Sequence, residues 1–171
     1  MDRMHRRRVA IVLDVDALRR DDAVARVLAA LDGIPELRAH RAELFLIVAE
    51  LYNNAVEHGL LGLGSEAKGE PGGFEAYYAA RSAGLASLSS GRIRIDVEVE
   101  KRRVGAHLRV RVTDSGSGLG AATRAPRAPA PEARGGRGLA LLRSLGAVVT
   151  IDAPASSVTV DYAVPVAIGV S

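Results

Sequence analysis

Cysteine and tryptophan are absent from this chain, and aromatic residues make up only 4% of it. Without thiols there is no disulfide, no thiolate zinc site and no cysteine nucleophile, so a bound metal is expected on oxygen ligands, four histidines being the only imidazoles available. So few aromatics leave too little for the stacking platforms that hold single-stranded nucleic acids. Lysine is nearly missing as well, with only Lys68 and Lys101 among 23 basic residues. None follows Lys101, so neither glycine-rich stretch of the second half can be a P-loop, which needs a lysine on the phosphates. Charges interrupt the apolar residues throughout, and nothing approaches the run of about 18 that would cross a bilayer. The first residues, MDRMHRRRVAIVLDVDAL, have a basic head, but the apolar run is short, ends in acids and lacks a small-residue cleavage site, unlike a signal peptide. The expectation is a cytoplasmic protein with no membrane partner.

What is present suits one domain over residues 1–171, since a chain that is 48% hydrophobic at this length holds one full core and not two. The net charge of +3 resides mostly in a basic tail, residues 1–8, so nucleic acid is not an expected partner. Residues 8–15 form a β-branched run that predicts a strand. Residues 16–33 follow with Leu18, Val24, Val27, Leu28 and Leu31 at helical spacing, Asp16 as the candidate cap and Gly33 as the stop. From Pro35 a longer helix is predicted to Gly59, with Leu44, Ile47, Val48, Leu51 and Ala55 on its buried face. A Gly/Pro-rich stretch and a short extra helix, FEAYYAARSAGLASL, come next.

After Gly91 the period falls to two: IRIDVEVEK and AHLRVRVTD alternate apolar with polar residues and predict neighbouring antiparallel strands with one wet face. The stretch SGSGLGAATRAPRAPAPEARGGRG has no periodicity and is long for an ordinary connection, so residues 119–135 are read as a lid. LALLRSLG predicts a helix, and VVTIDA and SVTVDYAVP a closing strand pair. The predicted fold is an α/β (α+β) two-layer sandwich: a mixed, mostly antiparallel sheet with helices on one face.

Three stretches carry chemistry. In ELYNNAVEHG, residues 50–59, Glu50, Asn54 and His58 are four apart and share one side of the helix. A solvated stripe is the plain alternative, but two consecutive asparagines are poor helix formers and call for a reason. Asn54 offers a neutral oxygen suited to magnesium, and Glu50, one turn earlier, can polarise a water or accept a hydroxyl proton. In DSGSG, residues 114–118, Gly116 and Gly118 let backbone approach a ligand, and Asp114 could accept a hydrogen bond from an exocyclic amine; a simple Gly/Ser turn is the alternative. In RGGRGLALL, residues 134–142, Gly136, Arg137 and Gly138 precede a helix whose free N–H groups favour phosphate, the alternative being a linker with a helix cap. DSGSGLG does not sit in a strand-to-helix unit with a downstream acid, which argues against a dinucleotide fingerprint.

Taken together and in this order, the three stretches resemble the GHKL ATPases, the superfamily of gyrase, the heat-shock chaperone, histidine kinases and mismatch-repair ATPases. ELYNNAVEHG is similar to the family's N box, DSGSG to its adenine box and GGRGLALL to its second glycine box. The resemblance implies a Bergerat ATP-binding fold with ATP and Mg²⁺ as ligands. It implies Glu50 as the catalytic or water-positioning acid, Asn54 as the magnesium ligand and Asp114 as the adenine reader. Gly116 and Gly118 would pass the nucleotide, Gly136, Arg137 and Gly138 would face phosphate, and Thr159 would lie near adenine. The compact length and the E-x-x-x-N-x-x-x-H spacing look most like bacterial anti-sigma-factor serine kinases. The larger insertion at residues 60–90 resembles the ATPase domains of fused response regulator and phosphatase proteins. The implied function is transfer of the ATP γ-phosphate to Ser or Thr of an anti-sigma-factor-antagonist-like partner. The alternative is a non-catalytic, nucleotide-gated module that sequesters a sigma factor or antagonist, and the resemblance also allows a homodimer.

Overall fold

The computed structural model describes residues 6–64, 71–116 and 136–166. The whole lid expected at 119–135, and Gly118 with it, lies outside the described residues. Strand β1 (Arg6–Asp14) is followed by helices α1 (Val15–Arg20) and α2 (Ala23–Leu31), a 3-10 turn (Pro35–His40) and helix α3 (Arg41–Asn54). The last turn of that helix widens into a π-helical segment, Ala55–Leu60. Helix α4 (Gly73–Ser87), strands β2 (Arg92–Lys101) and β3 (Ala106–Asp114), helix α5 (Gly136–Ser144) and strands β4 (Val148–Asp152) and β5 (Ser157–Val164) complete the order.

The five strands form one sheet in the order β1-β2-β3-β5-β4. All four pairings are antiparallel, so the expected mixed sheet is corrected to an antiparallel one. The reason lies in the crossover after β3: the chain returns through α5, lays β4 at the sheet edge, and turns so that β5 inserts against β3. Sequence order alone does not say which of the last two strands takes the inner place.

Period two decides which face is dry. Ile93, Ile95, Val97 and Val99 of β2 and Leu108, Val110 and Val112 of β3 are buried, while their alternates are exposed or half-buried. The dry face packs against Leu44, Ile47, Val48 and Leu51 of α3, Val27 and Leu31 of α2, and Leu139 and Leu142 of α5 in one core. Each such side chain contributes about 1.5–3 kcal/mol on burial. The other face is polar: Arg8 bonds Glu98 at 3.0 Å and Arg109 bonds Asp161 at 2.8 Å, exposed pairs worth at most about 1 kcal/mol each.

Local chemistry moved three boundaries. Where the periodicity predicts one helix over 16–33, two occur, because Asp22 caps a new start by accepting from the Ala25 N–H at 2.9 Å. The cap of α1 is Asp14, which accepts from the Ala17 N–H at 2.9 Å; Asp16 lies within the first turn instead. Arg6, Arg7 and Arg8, read as tail, are strand residues opposite Glu100, Val99 and Glu98. Cross-strand carboxylates give these arginines a reason to pair that the β-propensity of an arginine run does not convey. No helix among the described residues is long and apolar enough to cross a membrane.

Candidate functional site

The π-helical segment is the first element of the site. A π turn holds one residue more than the pattern of α3 calls for, and such turns recur where a side chain or backbone must be re-aimed. Here it drives Gly59 against the end of β3. A Cβ at Gly59 would overlap the carboxylate of Asp114, so only glycine lets the helix end and the strand end meet.

Asp114 lies on the dry-face side of β3, opposite Ile93 in the register, and is half-buried. Its strand end is fixed by its own N–H donating to Ser156 O at 3.0 Å and by the Ser115 N–H donating to Arg92 O at 3.0 Å. Burial raises the Asp114 carboxyl from 3.8 to about 6, even though the Gly116 N–H donates to Oδ1 at 3.0 Å and works the other way. Gly116 must itself be small, because a Cβ there would overlap Gly59 O. Asp114, Gly116 and Gly59 therefore form one tight junction, and the role of Gly59 is the part that sequence reasoning missed. Its position at the end of a periodic helix reads as a stop signal, and only the tertiary contact reveals the need for a bare Cα.

The second junction joins α3 to α5. Glu50 is half-buried, and a Cβ at Gly138 would overlap Glu50 Oε2. In its described extent helix α5 opens with Gly136, Arg137 and Gly138, and the first-turn N–H groups of a helix lack intrahelical acceptors. Arg137 is exposed. One turn after Glu50 sits Asn54, whose Nδ2 is buried with no hydrogen-bond partner among the described residues. A buried amide left so is costly, and a ligand oxygen would satisfy it.

The structure thus places Glu50 and Asn54 on α3 and Asp114, Gly116 and Gly138 on elements that meet α3 or its π continuation, but Thr159 is not among them. It lies opposite Arg111 and Thr150, on the polar face of the sheet, away from Asp114. The β5 positions that share the face of Asp114 are Val158 and Val160, since side chains alternate along a strand. The remaining polar residues of the helix have structural partners. Glu57 accepts from the Tyr77 hydroxyl at 2.5 Å, Asn53 accepts from Arg81 at 3.5 Å, and His58 Nδ1 is 2.5 Å from Leu63 O.

No known family model matches the chain, and comparison with curated proteins finds no match either. The arrangement must therefore be read from its chemistry. A carboxylate and an amide one turn apart, a helix N-terminus beside the carboxylate, and a half-buried aspartate at a strand end bordered by glycines can together bind a ligand with an anionic end and a hydrogen-bonding end. Among the described residues no group of three or more His, Asp or Glu side chains could cage a metal. A metal held mainly by ligand phosphates and water, as magnesium commonly is, needs only one or two protein oxygens, and Asn54 can supply one.

Proposed function

We propose that this chain is an ATP-binding regulatory kinase domain of the GHKL type, with a Bergerat fold. It transfers the ATP γ-phosphate to Ser or Thr of a protein partner similar to anti-sigma-factor antagonists. The observation that supports this most is the meeting of three separated sequence stretches along the C-terminal part of α3 and its π continuation: Asp114 and Gly116 against Gly59, and Gly138 against Glu50. Nothing in local sequence requires those contacts. Their chemistry is that of a nucleotide, with a base at the aspartate and phosphates at the helix start.

In this reading, Asp114 accepts from the adenine exocyclic amine, which guanine lacks at that position. The first-turn N–H groups of α5, with Arg137 beside them, bind phosphate oxygens, and Asn54 offers Oδ1 to Mg²⁺ and Nδ2 to a phosphate oxygen. Bound Mg²⁺ would supply neutralisation of phosphate charge. Glu50 orients the partner hydroxyl and takes its proton as the hydroxyl oxygen bonds to the γ-phosphorus. The bond to the β–γ bridging oxygen breaks, and ADP leaves with that electron pair. Positioning and charge neutralisation then account for most of the rate.

Thermal melting with ATP, GTP and EDTA tests the site. ATP with Mg²⁺ at 100 times its Kd adds about 2.7 kcal/mol, a rise in Tm of roughly 5–10 °C, whereas GTP should leave Tm unchanged. An equal response to GTP, or none to ATP, would refute the base assignment. Labelled ATP incubated with the partner separates kinase from binding module, since only the kinase leaves label in the partner. The module reading draws support from Phe74 and Tyr78, two exposed aromatics one turn apart on α4 that could meet a protein surface.

A further inference from the structure

Glu57 is a carboxylate only 6% exposed, and Tyr77, which faces it from α4, is 3% exposed. The Tyr77 hydroxyl donates to Glu57 Oε2 at 2.5 Å, and Arg81, one turn along α4, lies 3.3 Å from Glu57 Oε1. Arg81 also reaches Asn53 Oδ1 at 3.5 Å. Burial, followed by the bond to Glu57, holds the Tyr77 phenol well above its ordinary value, so it remains a donor at any ordinary pH. The far end of α4 is tied down separately: Arg19 of α1 donates to the carbonyls of Leu85, Ala86 and Leu88 at 2.7–2.9 Å. Helix α4 is therefore anchored both along its length and at its C-terminal end, and of the residues it grips, Asn53 directly precedes Asn54 while Glu57 lies inside the π turn, two residues before Gly59.

A π turn is a rare, single-turn departure from the α-helix, and its conversion to α geometry would change the register of everything after it. That conversion would rotate every later residue by about 100°, the angle of one residue in an α-helix. Gly59 would leave Asp114, and the two junctions of the site would lose their common frame. We propose that Tyr77 and Arg81 are positioning residues: through Glu57 and Asn53 they lock the π turn in the register that aims Asn54 and seats Gly59 on Asp114. The inserted helix is thus a working part of the site. Its functional half rests on the nucleotide reading given above; its mechanical half does not.

The test compares wild type with Tyr77→Phe, Arg81→Met and Arg81→Lys, all checked for folding by circular dichroism. Amide hydrogen exchange in the nucleotide-free protein should rise across Ala55–Leu60 in Tyr77→Phe and Arg81→Met, with β2 and β3 unchanged. Calorimetry with and without EDTA should show the magnesium-dependent gain in ATP affinity falling roughly tenfold or more in those two variants, the usual effect of losing a group that orients a ligand-binding side chain. Arg81→Lys, which keeps the charge beside Glu57, should recover part of that gain. A purely structural role would lower Tm and leave the ratio of affinities with and without magnesium unmoved, and that result overturns the positioning role. Unchanged exchange across the turn overturns the clamp itself. Absence of any ATP binding by wild type alongside the exchange response would instead mean that the clamp stands and the nucleotide reading fails.

Discussion

Asp114→Asn should make the protein more stable and, on the proposed nucleotide reading, should remove selectivity for ATP. The carboxyl group is raised from 3.8 to about 6 chiefly by burial, so the folded state holds its proton more tightly than the unfolded chain does. A group shifted in this direction adds stability that is fully present below pH 3.8 and is lost as the pH rises through about 6. At about 1.4 kcal/mol for each tenfold change in acidity, the rise corresponds to about 3 kcal/mol for an enclosed group; half-burial and solvent screening reduce that to roughly 1–1.5 kcal/mol. Asparagine never ionises, so the variant escapes this cost. Its amide oxygen can still accept from the Gly116 N–H, the bond now made at 3.0 Å. Urea unfolding at pH 7.5 should show the variant more stable by roughly 1–1.5 kcal/mol with an unchanged m value, and the difference should shrink towards zero by pH 4. The comparison of variant with wild type cancels the other titrating groups. ATP should no longer raise the Tm of the variant. A variant less stable than wild type at pH 7.5, or a gap that does not vary with pH, would refute the reasoning.

Gly59→Ala reverses the usual preference of a helix for alanine over glycine: instead of gaining up to about 1 kcal/mol it should lose about 1–3 kcal/mol, because the new Cβ overlaps the Asp114 carboxylate. Denaturant melts check the loss, and the double variant with Asp114→Gly should recover most of it, a coupling expected only of residues in contact. Gly138→Ala should push Glu50 Oε2 aside and, on the proposed kinase reading, abolish phosphotransfer to a partner, while Tm changes by only about 2 °C, since the group displaced is the end of a flexible side chain. Retained transfer in that variant would mean that the contact of Glu50 with α5 has no catalytic meaning.

Hydrophobic period carried a large share of the fold into view. Leu44, Ile47, Val48, Leu51 and Ala55, spaced at three and four, are all buried in α3 and its π continuation. Alternation in β2 and β3 correctly predicted both their pairing and their wet face. These features are legible because burial is a property of each residue along one element. Helix starts were less legible: Asp14, Asp16, Asp21 and Asp22 all have the chemistry of a cap, and backbone geometry chose Asp14 and Asp22. For the candidate site, the residue types and spacing of Glu50, Asn54, Asp114 and Gly138 were sufficient to single them out. The face on which Thr159 lies was not legible, because it depends on strand register, and a shift of one residue turns a side chain from one side of the sheet to the other.

By itself, then, the sequence determined the kinds of element, their dry faces, and a short set of polar residues and glycines to examine as a candidate site. Those are local properties, set by residue type and period. The antiparallel insertion of β5, the π turn, the need for a bare Cα at Gly59, the contact of Gly138 with Glu50, and the grip of Tyr77 and Arg81 on Glu57 were decided only by tertiary structure. Each depends on the distance between atoms far apart in the chain, and no periodicity along a single element encodes that distance.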